Sequence, residues 1–349
     1  VGVNKSAYTM YGSKELGSEL DIPLFKDSMH DLLVRHEVLR TIFIEKEGIP
    51  RQKVLPIEDI DFDIPIVSLE SEIVDELLHH VFDLSQWPLL KLILVKDSKG
   101  YRLLYTMHHI ISDGWSMEIF VRDVVAIYES KISNTICSLP DLRIHYKDYA
   151  GWRNKLLLSE ESKSDKSYWL SKLGGDLPVM HLPEDHFDLD SSETNLGSGY
   201  YSFYIDESLK SGIDFLLQDR KVSLFSFFVS CFKILLNRIT GESDLIIGVP
   251  TANRDHEDLK DLIGFFLNTL MLRDQLDSGS CFLDFLDDVH SNLIEGLEHQ
   301  SYPFESILDS LDITRDYNRF PISSIFLNML DFDSEYQGFS GSKKVEEGI

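Results

Sequence analysis

One break in the chain constrains the fold more than any other feature. Residues 174–199 hold a Gly-Gly pair, Leu177-Pro178, Leu182-Pro183 and an acidic, turn-rich run from Glu184 onward, with little periodicity of either kind. On both sides, β-rich runs alternate with stretches of helical period. Before the break, residues 27–36 read as a short amphipathic helix, 61–69 as a half-buried strand alternating Phe62, Ile64 and Ile66, and 73–81 as a helix. Residues 89–95 and 101–107 are apolar runs flanking the turn cluster Asp97-Ser98-Lys99-Gly100, which is the pattern of a hairpin. Helices over 145–158 and 160–173 follow. Past the break the same vocabulary restarts, with strands at 200–205, 244–250, 265–272 and 322–330 and helices at 207–221, 224–239 and 281–299. A chain of 349 residues exceeds one ordinary core. The expectation is an α+β protein of two similar lobes, 1–174 and 200–349, joined by the linker 175–199, with a cleft where the lobes face each other.

Composition narrows the class. The formal charge of −26 argues against nucleic acid and anionic membranes as partners. No apolar run reaches the roughly 18 residues a bilayer span needs. The densest, 224–236, is interrupted by Ser226, Ser230 and Lys233 and reads as a buried helix. The start Val1-Gly2-Val3-Asn4-Lys5 is no signal peptide, and without an initiator Met the chain reads as a piece of something longer. Cys137, Cys231 and Cys281 are few and widely spaced and form no CxxC pair, so a reducing cytoplasm is expected rather than a disulfide framework or zinc ribbon.

The chemistry concentrates after the hairpin. Its second strand runs into Met107-His108-His109-Ile110-Ile111-Ser112-Asp113-Gly114, after which Trp115, Ile119, Phe120, Val124, Ile127 and Tyr128 recur at helical spacing. A His pair alone says little: His79-His80 repeats it on the predicted helix 73–81, as a solvated surface feature. The loop pair differs in lying between a strand and a helix N-terminus. One reading is only structural, since Asp is a good N-cap and Gly suits a tight turn. The other is catalytic. An imidazole with the ordinary pKa of about 6.5 accepts a proton near neutrality, and a helix N-terminus presents N–H groups to a developing oxyanion. With no G-x-S-x-G elbow, direct acyl transfer to an incoming nucleophile fits better than a covalent serine mechanism. An ionised Asp113 facing that oxyanion would oppose catalysis, so it is expected to turn away and pair with an Arg. No HExxH, EF-hand, P-loop or GxGxxG is present, and no metal is expected.

These residues resemble the HHxxxDG signature of the condensation domains of non-ribosomal peptide synthetases, in the chloramphenicol acetyltransferase-like superfamily. Further stretches match the family in order. They are Arg35-His36-Glu37-Val38-Leu39-Arg40-Thr41-Ile42-Phe43, Phe82-Asp83-Leu84-Ser85 with Pro88-Leu89-Leu90, and Tyr146-Lys147-Asp148-Tyr149-Ala150-Gly151-Trp152. Gly248-Val249-Pro250-Thr251-Ala252-Asn253-Arg254 and Ile263-Gly264-Phe265-Phe266-Leu267-Asn268-Thr269 follow, then residues 299–305 and 315–321. The resemblance implies a pseudo-dimer of two acetyltransferase-like lobes in a V, with the His loop on the floor of a tunnel. Donor and acceptor peptidyl carrier proteins would bring phosphopantetheine-tethered substrates to its two mouths, and no cofactor would be bound directly. The acceptor amine would attack the donor thioester to form an amide. An adjacent adenylation domain and a monomeric fragment of a larger module are also implied.

By the same match, His109 is the catalytic imidazole and Gly114 an oxyanion or substrate-approach position. His108 supports the loop, and Asp113 braces it through either Arg35 or Arg254. Ser112, Trp115 and Asn268 are candidate tunnel-lining positions, although Trp115 and Tyr149 also read as core and Asn268 as a strand-end Asn satisfying backbone groups. Ser301 and Asn318 stand where the family usually has Asp and Ser, and tuning rather than loss of activity is expected from them. The family's opening motif and the segment after Asp331-Phe332-Asp333 are absent. Gly114-Trp115-Ser116 favours condensation over epimerisation, and the intact His pair excludes heterocyclisation. A related carrier-dependent or free-standing acyltransferase and a non-catalytic recruitment domain of the same fold are the alternatives.

Overall fold

The strand that leads to the histidine pair is buried on both faces, and the first half of the fold is built around it. The computed structural model describes residues 8–183, 199, 201–277, 279–311, 313 and 320–329. In chain order the elements are β1 (Thr9–Gly17), α1 (Ile22–Arg35), β2 (Thr41–Lys46), β3 (Ile49–Val54), β4 (Ile66–Val67), α2 (Glu72–Leu78), β5 (Leu90–Asp97) and β6 (Gly100–His108). After these come α3 (Gly114–Ile132), α4 (Tyr146–Leu156), α5 (Glu161–Lys172), α6 (Glu207–Arg220), α7 (Leu224–Thr240), β7 (Asp244–Thr251), β8 (Asn268–Gln275), α8 (Phe282–Glu298) and α9 (Phe304–Ser310).

Contacts gather the chain into two units. The first holds residues 8–158 together with Ala252–Leu267, and the second holds Ser159–Thr251 with residues 268–329. This differs from the lobes expected at 1–174 and 200–349. Helix α5 belongs with the second unit because Trp169 is buried there, its indole donating to His299 O at 2.9 Å. Ala252–Leu267 belongs with the first because Arg254, Gly264 and Phe266 make their hydrogen bonds there. Most of the expected linker, 184–198, lies outside the described residues.

In the first unit a sheet runs β1-β6-β5-β4, antiparallel except for the parallel pair β5/β4. Side chains alternate across a strand, so Leu90, Leu92 and Leu94 share one face with Leu103, Tyr105 and Met107 of β6. Phe25, Met29, Leu32 and Leu33 of α1 and Met117, Phe120 and Val124 of α3 complete that core, and all seven are fully buried. Each contributes roughly 1.5–3 kcal/mol by leaving water. On the opposite face, Ile93, Val95 and Leu104 meet Val74 and Leu77 of α2. Burial on both sides is why β5 reads as a nearly continuous apolar run. Helix α1 begins where Asp21 accepts from Leu24 N–H at 3.0 Å, with Pro23 in its first turn. β2 and β3 form a separate two-stranded ladder.

In the second unit β7 and β8 form an antiparallel ladder in which Leu245, Ile246 and Ile247 are buried in succession. Helix α7 starts at the Ser223 cap and ends at Gly241, whose φ of 77° suits a residue without a Cβ. Inside α7, Lys233 is fully buried; its ammonium donates to Leu272 O at 2.7 Å and to the Asp274 carboxylate. Among the described residues no single helix is long and apolar enough to cross a membrane.

Several local expectations fail for identifiable reasons. The strand over 61–69 shrinks to the two residues of β4, because Pro65 has no N–H for a ladder. Residues 201–206 form no strand, and Tyr201, Phe203 and Tyr204 stand exposed, with no strand among the described residues paired to them. The strand over 322–330 is reduced to one parallel bridge, Gly248 to Phe326, among the described residues. β8 starts three residues later than expected, because 265–267 serve the first unit instead. Helix α2 stops at Leu78, so His79 caps its end and His80 packs against Phe82 at 4.6 Å between ring centroids. The pair therefore lies just past the helix, with His79 exposed as expected and only His80 half-buried. β1, the β2–β3 hairpin and α9 have no counterpart in the sequence reading. In β1, Gly12 leaves room for the Tyr105 ring, which a Cβ would approach to 2.2 Å.

Candidate active site

β6 ends at His108, a single 3₁₀ turn spans His109–Ile111, and α3 opens at Gly114. The two histidines take different tautomers because they meet different backbone groups. His108 Nδ1 accepts the Ile110 N–H at 3.0 Å, which caps the 3₁₀ turn and leaves the ring proton on Nε2. Its ring packs near Phe82 and Tyr8. Burial pushes its pKa below the ordinary histidine value, and His109 beside it adds to the effect. His109 faces the opposite constraint. Its Nδ1 lies 2.8 Å from Ser112 O, and a carbonyl only accepts, so Nδ1 carries the proton. In the neutral ring the basic lone pair then sits on Nε2. The Phe265 ring stands edge-to-face against His109, with centroids 5.2 Å apart.

Asp113 caps α3 and anchors it at once. Its Oδ1 accepts from Ser116 N–H at 2.8 Å, and Arg254 Nη2 lies 3.1 Å from the same oxygen. Its Oδ2 accepts from Phe266 N–H at 3.0 Å. The carboxylate is 1% exposed and fully committed, turned into the protein as expected. Of the two candidate arginines, the structure pairs Arg254 with Asp113. Arg35 pairs instead with Asp123 at 2.9 Å, in a second cluster where Asp123 and His36 are buried and Arg122 is exposed. Arg254 reaches its place because Asn253 adopts a φ of 49°, a conformation Asn tolerates, and donates to Tyr149 Oη at 3.2 Å. Two further bonds of 2.6 Å, from Nη1 to Leu259 O and Leu262 O, fix the guanidinium, which also lies 4.0 Å from the Phe266 ring centroid.

Two participants were not legible in advance. Ser116 Oγ is fully buried, 2.7 Å from Asp113 Oδ1 and 2.8 Å from Gly264 O, so its one proton serves one of them; it also accepts the Gly264 N–H at 3.0 Å. Gly264 packs flat on Tyr146, where a Cβ would lie 2.2 Å from the ring. The spacing Asp113-x-x-Ser116 at a helix start was the available signal for the first. Nothing local signalled the second.

The remaining candidates separate. Gly114 is the first residue of α3; Ser116 N–H is taken by the cap, so the N–H groups of Gly114 and Trp115 have no intrahelical acceptor. Ser112 is fully buried, its hydroxyl nearest Asp113 O at 3.4 Å, and it presents no lining surface. Trp115 is 41% exposed and donates to Lys260 O at 3.0 Å, so it is not core. Tyr149 is buried as expected. Asn268 belongs to the second unit, and its side chain is spent on backbone: it donates to Gln300 O and Tyr302 O and accepts from Phe304 N–H. Asn318 lies outside the described residues.

The Asp113 carboxylate is thus buried and fully bonded behind a partly exposed His109 imidazole at a helix start. The family model described as "Condensation domain" matches residues 2–347, and the chain belongs to that family. Bacitracin synthase 3 of Bacillus licheniformis is 32% identical over 339 residues, covering 96% of this chain and 5% of the relative. Tyrocidine synthase 3 of Brevibacillus parabrevis is 32% identical over 342 residues, covering 97% of this chain and 5% of the relative. The chain thus spans a small part of the relatives' length. In fold it is similar to the X-domain from teicoplanin biosynthesis, with a TM-score of 0.80 and 23% identity over 91% of this chain and 72% of that one. It is also similar to a four-domain nonribosomal peptide synthetase bound to AMP and glycine, with a TM-score of 0.76 and 20% identity over 95% of this chain and 25% of that one.

Proposed function

We propose that this domain forms an amide bond between two carrier-tethered substrates: the amine of an acceptor aminoacyl group attacks a donor acyl or peptidyl thioester. The observation that carries the reading is the tautomer of His109. With Nδ1–H held by Ser112 O, Nε2 is the accepting nitrogen on a partly exposed ring at the start of α3. An amine with a pKa of about 7.7–8.0 is partly neutral near pH 7, so Nε2 need only orient it and take its proton as the C–N bond forms. The oxyanion of the tetrahedral intermediate would meet the N–H groups of Gly114 and Trp115, preorganised by the helix. Collapse expels the donor's thiolate, which takes up the proton, and leaves the extended chain on the acceptor. Asp113, Arg254 and His108 hold the loop and do not touch substrate.

The partners in this reading are donor and acceptor carrier proteins bearing phosphopantetheine, with an adenylation domain in the same assembly. The family's V of two acetyltransferase-like lobes around a tunnel belongs to the same proposal. A His109→Ala variant, assayed for amide formation with loaded carrier proteins, is expected to lose about 10²–10⁴-fold in rate. A near-full rate would remove His109 from the chemistry.

A further inference from the structure

Phe265 is a large apolar side chain, 39% exposed, on a backbone hydrogen-bonded at three consecutive residues. Gly264 before it is clamped by Ser116 Oγ, close to both its N–H and its carbonyl, and lies flat on the Tyr146 ring. Its own carbonyl accepts from Tyr146 Oη at 2.7 Å. Phe266 after it donates to Asp113 Oδ2 at 3.0 Å. Three consecutive residues are thus tied to α3, its cap and α4, and the ring they carry meets His109 at 90° and 5.2 Å. Such a clamp is more than packing a half-exposed ring requires.

The ring completes the restraint on His109. One hydrogen bond, from Nδ1 to Ser112 O, leaves the imidazole free to tilt about that contact. An edge-to-face aromatic neighbour on a second side removes that freedom, and an aromatic pair of this geometry is worth a definite orientation preference. We propose that Phe265 is a positioning residue: it holds the His109 ring so that Nδ1–H stays on Ser112 O and Nε2 points where the acceptor amine arrives. This rests on the acyl-transfer reading above. Phe265 would act through His109 and not on the reacting atoms.

Two measurements on the chain test it. Amide formation with loaded carriers would be compared in wild type, Phe265→Ala, Phe265→Leu and Phe265→Tyr, and the His109 imidazole nitrogens would be read by NMR in each. Small misplacements of a catalytic group cost up to about 100-fold, so Ala and Leu are expected to lower kcat about 10- to 100-fold with KM little changed. Tyr, which keeps the ring, should retain the wild-type kcat. The nitrogen shifts should show Nδ1–H in wild type and Tyr, and mixed tautomers in Ala and Leu. An unchanged kcat in Ala, a change confined to KM, or a tautomer insensitive to residue 265 would overturn the proposal. If the wild type itself forms no amide, the acyl-transfer reading fails. The nitrogen shifts then decide the positioning alone: mixed tautomers in Ala and Leu support it, and unchanged ones overturn it.

Discussion

Asp113 sits in a dry environment where an unpaired carboxylate would be costly, and its charge is met by Arg254 and by the N–H groups of Ser116 and Phe266. Removing one partner of a buried pair strands the other, which typically costs about 3–5 kcal/mol. Arg254→Met is therefore expected to lower unfolding stability by about that amount in urea titrations. Arg35→Met should cost clearly less, since Asp123 keeps His36 at 2.9 Å and Arg122 at 2.7 Å. Equal losses for the two variants would contradict the pairing of Arg254 with Asp113. That choice marks the limit of reading the site from sequence. Asp113 as a cap and a loop brace followed from its place before a helical run, and His109 followed from motif and context. Whether Arg35 or Arg254 reached it depended on a fold contact across 141 positions, set by the positive φ of Asn253. Ser116 was masked by its type, because a serine in a first helical turn has an ordinary role as a cap partner.

At the scale of elements, α3, α7 and α8 were legible because a period of 3.6 rules them, and the β5–β6 hairpin because two apolar runs flank a turn cluster. β1 was not, since its edge position carries polar side chains and a glycine under Tyr105. The junction of α1 and α3 shows what periodicity conceals. His36, just past α1, is 2% exposed and reaches Asp123 of α3, which also holds Arg35 and Arg122. Burial pushes the His36 pKa below the ordinary value, against the pull of Asp123. The unfolded chain, with His near 6.5, then binds more protons than the folded one between the two values. This contribution is fully present above about pH 6.5 and is lost as pH falls through that point toward the folded value. His80 and His108, also lowered by burial, act with the same sign. Burial would raise Asp123, but its bonds to His36 and Arg122 hold it low, so its contribution fades only below the usual carboxylate range. Urea midpoints should fall between pH 7.5 and 5.5. His36→Gln, which keeps an N–H for Asp123, should show a shallower fall; an unchanged slope would exclude His36 as a source.

At the scale of the molecule, the chain order and the contact order disagree. β7 and β8 pair with each other in the second unit, yet the sixteen residues between them, Ala252–Leu267, belong to the first. The residues that link β7 to β8 along the chain thus lie within the first unit, where they supply Arg254, Gly264, Phe265 and Phe266 to the candidate site. Sequence patterning assigned this stretch to the C-terminal lobe because it follows the break at 174–199 and lies between two strands of that half. Among the contacts that hold it are Arg254 to Asp113, Gly264 to Ser116, Tyr146 to Phe265 and Trp115 to Lys260. Local opening is governed by such contacts and need not follow chain proximity. Hydrogen exchange should therefore protect the amides of Gly264 and Phe266 along with those of Ser116 and Met117 at the start of α3. Arg254→Met should speed exchange across 252–267 and at the start of α3 while leaving the β7–β8 ladder at its wild-type rates. If the ladder loosened together with the loop, the loop would be governed by its neighbours in sequence, and its assignment to the first unit would be wrong.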